Sequence, residues 1–280
     1  MKINKILSLL LVCFMLPLAA ILVACDNKTP SSNIKTWDGS VGQLPKTENG
    51  TIYINTAEQL ASIAKTVNSG ETLLGITIKL TTDIDLKNNE WTPIGYGSGS
   101  DETYARVFCG IFDGQGHTIY NLKVTEFVGG EERNLEAATG IGLFGNIGNS
   151  AVVKNLILEK AKVNGNRFVG ALVGYASQST IENCKVNNVR VRCERSDKEY
   201  AKGDNAAAIV GGFLNSSASD LMATNSFVYA GSDAGQVFGS IMDLATYEVE
   251  TCTAVNVLVL NNDTGSGENI TINIVGVDKR

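Results

Sequence analysis

In a chain of 280 residues, glycine is plentiful (29), proline scarce (4) and charged residues reach only 19%; that balance suits an all-β repeat protein better than a disordered chain or a helical bundle. The formal charge is −6 with no basic run anywhere, so the sequence displays no cationic surface for nucleic acid or anionic headgroups, and nucleic acid is not expected as a partner. Length alone admits one large domain or two small ones.

Lys2 and Lys5 make a basic start, an apolar run follows over residues 6–24, and the run ends in "LVACDN", the layout of an export signal. That ending resembles the bacterial lipoprotein signal, whose pattern is Leu, any residue, Ala or Gly, then Cys. Leu22 and Ala24 match, and Cys25 is expected to become the lipidated first residue of the mature chain. The run is also long enough to span a bilayer; an uncleaved anchor is the competing reading, and it leaves the Leu-Val-Ala-Cys ending unexplained. The expected organisation is a signal peptide over 1–24, a polar, turn-rich tether over 25–49 and one domain over 50–280. The membrane is then a partner through the N-terminal lipid, and the protein sits at the bacterial cell envelope or surface. Cys13 leaves with the signal, so Cys109, Cys184, Cys193 and Cys252 remain. Export permits disulfides, but without a C-x-x-C spacing no metal site is expected and the pairing stays open. No cofactor is expected.

In "INTAEQLASIAKTVNSG", Thr56 and Gln59 have capping-box spacing, Leu60, Ile63, Ala64 and Val67 recur at helical period, and Gly70 is the stop. This predicts one amphipathic helix over the first coil, within an N-terminal cap spanning 50–96. Strands at "ITIKL" and "DIDL" follow, with Ile84 and Leu86 inward and Asp83 and Asp85 outward.

Five later segments then align: "TIYNLKV" (118–124), "VVKNLIL" (152–158), "TIENCKV" (180–186), "ASDLMAT" (218–224) and "VETCTAV" (249–255). Their apolar sets are Ile119/Leu122/Val124, Val153/Leu156/Leu158, Ile181/Cys184/Val186, Leu221/Ala223 and Cys252/Ala254. The step of three, then two, departs from flat-strand alternation and puts a bend at Asn121, Asn155, Asn183 and Asp220, expected to stand in one file. Upstream of each bend lies a glycine-bracketed apolar strand: "GIFDG", "GLFGN", "GALVG", "AAIVG" and "GQVFG". A unit that cannot bury its own apolar side stacks on its neighbours, so the expected fold class is all-β, a right-handed parallel β-helix. Its coils run over about 107–260, with a closing strand or hairpin at 255–277. Cys184 and Cys252 should face inward with one turn between them, as buried thiols.

These repeats resemble the GLUG-motif proteins of bacterial surfaces, on "GLFGNIGNSAVVKNLILEKAKVNG", "GALVGYASQSTIENCKVNNVRV" and, more loosely, "AAIVGGFLNSSASDLMATNSFV". The upstream blocks "LTTDIDL", "WTPIG" and "FCGIFDGQGHTIYNLKV" look like the lead-in to such repeats. The resemblance implies the right-handed coil and a role at the cell surface, often adhesion. It implies no catalytic residues.

Little chemistry stands out. His117 is the only histidine and follows Asp113 by four residues in a tight turn, where a local bond is the plainer reading. Asp83 and Asp85 lack the rest of a calcium loop. Glu182 and Lys154 should be neighbours on the outer wall, a pair worth about 0–1 kcal/mol. Loop length says more: the connections "TEFVGGEERNLEAATGI" and "RCERSDKEYAKGDNA" flank the short "NGNRFV" and leave from the same corner, walling off a groove. Phe127, Arg133, Tyr175, Arg195, Lys198 and Tyr200 are the candidate ligand contacts, with Tyr104 near in sequence; loops that merely solubilise the coil are the opposing reading. The expected function is a non-catalytic adhesion or binding module for an extracellular glycan or a host or envelope protein. A polysaccharide lyase or glycoside hydrolase on the same scaffold is the alternative, and a purely structural spacer the third.

Overall fold

The computed structural model describes residues 37–96, 106–125, 140–193, 205–231, 233–242 and 248–261. Within them the chain is an all-β, β-helix-like stack of parallel ladders with one α-helix. A complete coil crosses four surfaces. The second runs Phe144–Ile147, Val152–Lys154, Ile157–Glu159, Lys162–Gly165 and Phe168–Gly170, and the next repeats it as Val173–Ser177, Thr180–Glu182, Lys185–Asn187, Arg190–Cys193 and Asn205–Ala207. Each strand pairs in register with its counterpart one coil away, giving a seven-strand ladder, a nine-strand ladder with two legs, and two four-strand ladders.

The stacking follows from what each coil leaves unburied. In the seven-strand ladder Ile52, Ile78, Phe112, Val153, Ile181 and Ala218 occupy one inward file; a second holds Ile84, Ile119, Leu158, Val186 and Ala223, and a third Val124, Val163, Val191, Val228 and Val259. All belong to one buried core, and a fully buried aliphatic side chain contributes about 1.5–3 kcal/mol relative to exposure. Every member of the expected inward sets is buried or packed against this core.

The bends are left-handed. Asn155, Asn183, Asp220 and Thr251 have φ of 54°, 48°, 54° and 51°, a region short polar side chains tolerate better than apolar ones. Asn183 donates from Nδ2 to Asn155 Oδ1 (2.8 Å), and Asn155 donates to Asp113 Oδ1 (3.0 Å). Asp220 has no side-chain proton to give Asn183, and instead accepts from Thr251 Oγ1 at 2.7 Å. Asn121 is not in this file, contrary to the sequence alignment. The strand before it, Thr118–Tyr120, pairs with Ile157–Glu159 rather than Val152–Lys154, so Asn121 turns the next corner, where Lys160, Asn188, Asn225 and Asn256 also have positive φ. "TIYNLKV" is one corner out of phase because two successive corners of each coil carry the same apolar-polar-apolar pattern. "GIFDG" slips likewise: Ile111–Asp113 belongs to the seven-strand ladder, and Ile94 is the partner of Phe144.

The second corner carries its own ladder. Asn256 donates to Asn225 (2.8 Å), Asn225 to Asn187 (3.0 Å), Asn187 to Glu159 (2.8 Å) and Asn121 to Asp85 (2.8 Å). In both files the amides donate toward the N-terminal end and stop on a carboxylate, which only accepts. Asp85 is therefore buried at 1% exposure rather than outward and solvated; its Oδ1 also accepts from Lys87 N (2.8 Å), and Lys87 Nζ lies 3.1 Å from Oδ2.

The glycine brackets have a steric cause. A Cβ on Gly174 would stand 2.0 Å from Ile141 N and 2.3 Å from Gly140 C, so the two four-strand ladders approach at backbone contact, which only hydrogen at Cα permits.

The helix α1 spans Ala57–Asn68; Thr56 Oγ1 accepts from Gln59 N (3.2 Å), and Leu60, Ile63, Ala64 and Val67 join the core. Gln59 Oε1 reaches Asn55 N (2.9 Å), one residue before the expected capping-box partner. The expected tether is shortened, because Trp37 is already buried at 3% exposure, edge-on to Trp91 with centroids 5.8 Å apart. An indole gains too much by burial to stay in a solvated linker. The last coil, the weakest in sequence, is regular where described: Glu248–Glu250 pairs with Ser217–Ser219 and Thr253–Asn261 with Met222–Ala230. The rest of the expected closing hairpin, "ITINIVGV", lies outside the described residues.

Candidate functional site

The long connections do share a corner. Lys123–Thr125, Lys162–Gly165 and Arg190–Cys193 are consecutive rungs of one ladder, and Gly140–Ile141, Phe168–Gly170 and Asn205–Ala207 are consecutive rungs of the next. Residues 126–139 and 194–204 therefore leave from, and return to, positions stacked on either side of the short Asn166–Arg167 turn. Phe127, Arg133, Arg195, Lys198 and Tyr200 lie in those segments and, like Tyr104 and Cys25 elsewhere in the chain, outside the described residues.

Tyr175 is described. It stands on Val173–Ser177 between Asn146 and Gly212 in register, half-buried, its ring 5.0 Å from that of Phe168. The Arg167 guanidinium lies 5.1 Å over the other ring of the pair. Gly212 makes room: a Cβ there would meet Phe168 Cδ1 at 2.5 Å and Tyr175 Cδ2 at 2.9 Å. Burial pushes the Tyr175 hydroxyl above its ordinary pKa, with Arg167 acting against the shift, so it is a neutral donor at physiological pH. Arg167, Phe168 and Tyr175 thus form a cation-topped aromatic step at the base of the shared corner. Sequence reasoning missed Arg167 and Phe168 because they sit in the short turn it set aside.

The other groups singled out for chemistry are structural. His117 Nδ1 faces Asp83 Oδ1 at 3.2 Å, and the same oxygen accepts from Thr118 N (2.9 Å). The partner is Asp83 on the preceding coil and not Asp113, whose Oδ1 is taken by Gln115 N and Asn155 Nδ2. Lys154 and Glu182 pair on the outer wall as expected, at 3.6 Å. Cys109, Cys184, Cys193 and Cys252 are buried and form no disulfide with one another; burial pushes the Cys184 thiol up to about 12 and raises that of Cys252. Leu221 separates those two rungs, since Met222 N bonds Cys184 O and Thr253 N bonds Leu221 O. Among the described residues no three His, Cys, Asp or Glu converge as a metal site.

A cavity of about 330 Å³ lies beside α1, lined by Trp37, Ala64, Lys65, Asn68 and Trp91 among others. Its indoles and its amide are already committed: both indole N–H groups donate to backbone carbonyls, and Asn68 donates to Pro93 O while accepting from Gly95 N and Tyr96 N. Few convergent polar groups are left to orient a ligand there.

A further surface escaped the sequence reading. The register places Lys123, Lys162 and Arg190 in one outward file, although they are too far apart in sequence to read as a basic run. The signal was present in the repeat, as "NLKV", "KAKV" and "NVRV".

No family model matches the chain. Halomucin from Haloquadratum walsbyi is 26% identical over 189 residues, covering 61% of this chain and 2% of that protein, so the chain spans a small fraction of its relative's length. Among solved structures, a candidate immunoglobulin A1 protease from Bacteroides ovatus overlays 79% of each chain with a TM-score of 0.44 and 18% identity.

Proposed function

We propose that the chain is an exported, lipid-anchored surface protein whose domain is a non-catalytic module for adhesion or ligand binding. The carrying observation is the shared corner, where the long connections start and end on neighbouring rungs around the Arg167, Phe168 and Tyr175 step. Connections anchored at scattered corners would favour a bare spacer; anchors on one corner favour a single ligand site there. The reading includes the GLUG-type kinship, a right-handed coil, and α1 lying over its open first rung, since Thr51–Ile54 ends the seven-strand ladder and an uncovered rung is an unpaired edge. Support for a surface location comes from the similarity to halomucin and from the "LVACDN" ending, with Cys25 as the lipidated residue.

Two measurements test this. Glycan-array and matrix-protein binding by the full chain should give a hit that disappears when residues 126–139 and 194–204 are each replaced by a short Gly/Ser turn, with the far-UV spectrum unchanged. An intact hit after both replacements removes the corner from the proposal. Labelled palmitate should enter the wild type and not Cys25→Ser, and equal labelling would overturn the anchor.

A further inference from the structure

The stacking that buries the core also sorts the outer faces. On the second leg of the nine-strand ladder, the outward file begins at Glu90, continues through Lys123, Lys162 and Arg190, and passes to Phe227. Two residues along each strand, Thr125, Asn164 and Arg192 form a parallel file that passes to Tyr229. Successive rungs are about 4.8 Å apart. Lys160 stands at the preceding corner, and Lys185 on the adjoining leg pairs in register with Ile157. Lys162, Lys185, Arg190 and Arg192 are exposed.

Among the described residues, neutralisation reaches only the head of the file. Glu90 lies 3.2 Å from Lys123 Nζ and accepts from Thr125 N; Glu159, the acid beside Lys160, is buried at 4% exposure with Asn187 donating to it. Among the described residues no carboxylate lies within ion-pair distance of Lys162, Lys185 or Arg190. Like charges directly opposite on neighbouring strands are destabilising. The opposite arrangement is built on the seven-strand wall, where Lys79, Asp113, Lys154 and Glu182 alternate in sign along one file. A chain with more acids than bases thus places, among the described residues, matched charges on one wall and, at Lys162, Lys185 and Arg190, cations with no acid at ion-pair distance on another.

We infer that this stripe binds a linear acidic polysaccharide, one bearing carboxylate or sulfate on recurring sugar units. Cations at fixed intervals along a straight line suit a stiff polymer whose charge also recurs, whereas a single small anion needs converging donors. Arg190 offers a planar fork for carboxylate or sulfate, and Lys162 and Lys185 point charges. Phe227 and Tyr229, half-buried, are the next rung of the two files, before Leu258 and Leu260, and the Arg192 guanidinium lies 5.3 Å over the Tyr229 ring, so Phe227 is the aromatic side chain beside the cations that a pyranose could meet. Nucleic acid fits less well: its binding domains carry a pI above roughly 9, and this chain, at pI ≈ 5.0, would repel a dense run of phosphates beyond the stripe. The inference rests on the binding-module reading, and it names the ligand class and a wall that leads directly into the shared corner.

The test uses the full chain with heparin as the sulfated probe, polygalacturonate as the carboxylated one, and dextran, a duplex oligonucleotide and phosphatidylserine vesicles alongside. Either acidic polysaccharide should bind in low salt and release at about 0.5 M, where screening is nearly complete; which of the two binds assigns the charged group. Lys162→Glu and Arg190→Glu should each weaken binding about tenfold or more, with thermal unfolding unchanged, while Lys79→Glu on the other wall leaves it intact. Unchanged affinity in Lys162→Glu and Arg190→Glu overturns the inference, and so does tighter binding of the oligonucleotide or the vesicles. Binding of dextran or a matrix protein without either polyanion sinks this inference and leaves the binding module standing; silence toward every probe and across the glycan and matrix arrays sinks both.

Discussion

Asn155 is the position where the bend, the side-chain ladder and a titrating acid meet, so replacing it separates their contributions. Its amide donates to the Asp113 carboxylate (3.0 Å) and accepts from Asn183 (2.8 Å) at φ 54°. A bond to a charged group contributes about 1.5–3 kcal/mol and a neutral one about 0.5–1.5; with the Asn183 bond open to solvent, Asn155→Gly should cost about 2 kcal/mol. Glycine keeps the left-handed turn free of strain, and alanine does not, so Asn155→Ala should be less stable than Asn155→Gly by about 1 kcal/mol. The pH dependence has a defined sign. Burial raises the Asp113 pKa, but the bonds from Asn155 and Gln115 and the Lys154 charge outweigh it and hold the carboxyl below its ordinary range. A depressed folded pKa contributes stability above the unfolded value that is lost as pH falls through the folded one. Since Asn155 is the main lowering contact, the gap between wild type and Asn155→Gly should narrow as pH drops below about 4. Urea unfolding followed by far-UV circular dichroism at pH 7 and pH 3 measures both effects. Equal midpoints for wild type and Asn155→Gly, or Asn155→Ala more stable than Asn155→Gly, would refute the ladder, and a pH-independent gap would refute the part assigned to Asp113.

Three further outcomes are expected. Gly174→Ala forces a Cβ to 2.0 Å from Ile141 N and should cost more than about 4 kcal/mol or prevent folding, whereas Gly116→Ala, with open space and φ 80°, should cost only about 1–2 kcal/mol; comparable melting temperatures for the two would refute the close-approach account. Cys184, with its thiol pushed up to about 12 by burial, should resist Ellman's reagent at pH 8 until denaturant is added, and labelling of Cys184 in the native protein would show the interior to be open. Glu159 has its pKa raised by burial, with the Asn187 bond and Lys160 acting the other way, so its favourable contribution is full below the unfolded value and is lost as pH rises through the folded one. Glu159→Gln should therefore gain on wild type between pH 4 and pH 7 in thermal unfolding, and a gain that shrinks over that range would contradict the burial cost.

The architecture was legible because burial repeats. Val153, Leu156 and Leu158 return one coil later as Ile181, Cys184 and Val186, in adjacent pairs. Phase was harder to read. Tyr120 and Asn121 look like Lys154 and Asn155, yet the first pair turns a corner one strand later in the coil, and only pairing distinguishes two corners built from the same pattern. Asp85 failed for a related reason: alternation put it outside, whereas at a corner an outward side chain folds back against the next coil, where Asn121 covers it. The glycine brackets were visible as a motif, but their cause, contact between two backbones, depends on elements that local sequence does not relate.

The site was less legible for a reason that bears on solenoids generally. A basic run announces a cationic surface when the residues that share the surface are neighbours in the chain. In stacked coils the neighbours on a surface are one repeat apart, so Lys123, Lys162 and Arg190 form a continuous charged line while each is flanked in sequence by apolar or neutral residues. Net charge hides such a line as well, because acids elsewhere outnumber it. The informative unit is the column of the repeat alignment, read for chemistry as well as hydrophobicity. A column of valines specifies a core, and the column beside it, which runs from Glu90 through Lys123, Lys162 and Arg190 to Phe227 and Leu258, specifies what a ligand on that wall must carry: negative charge that recurs at the pitch of the coil.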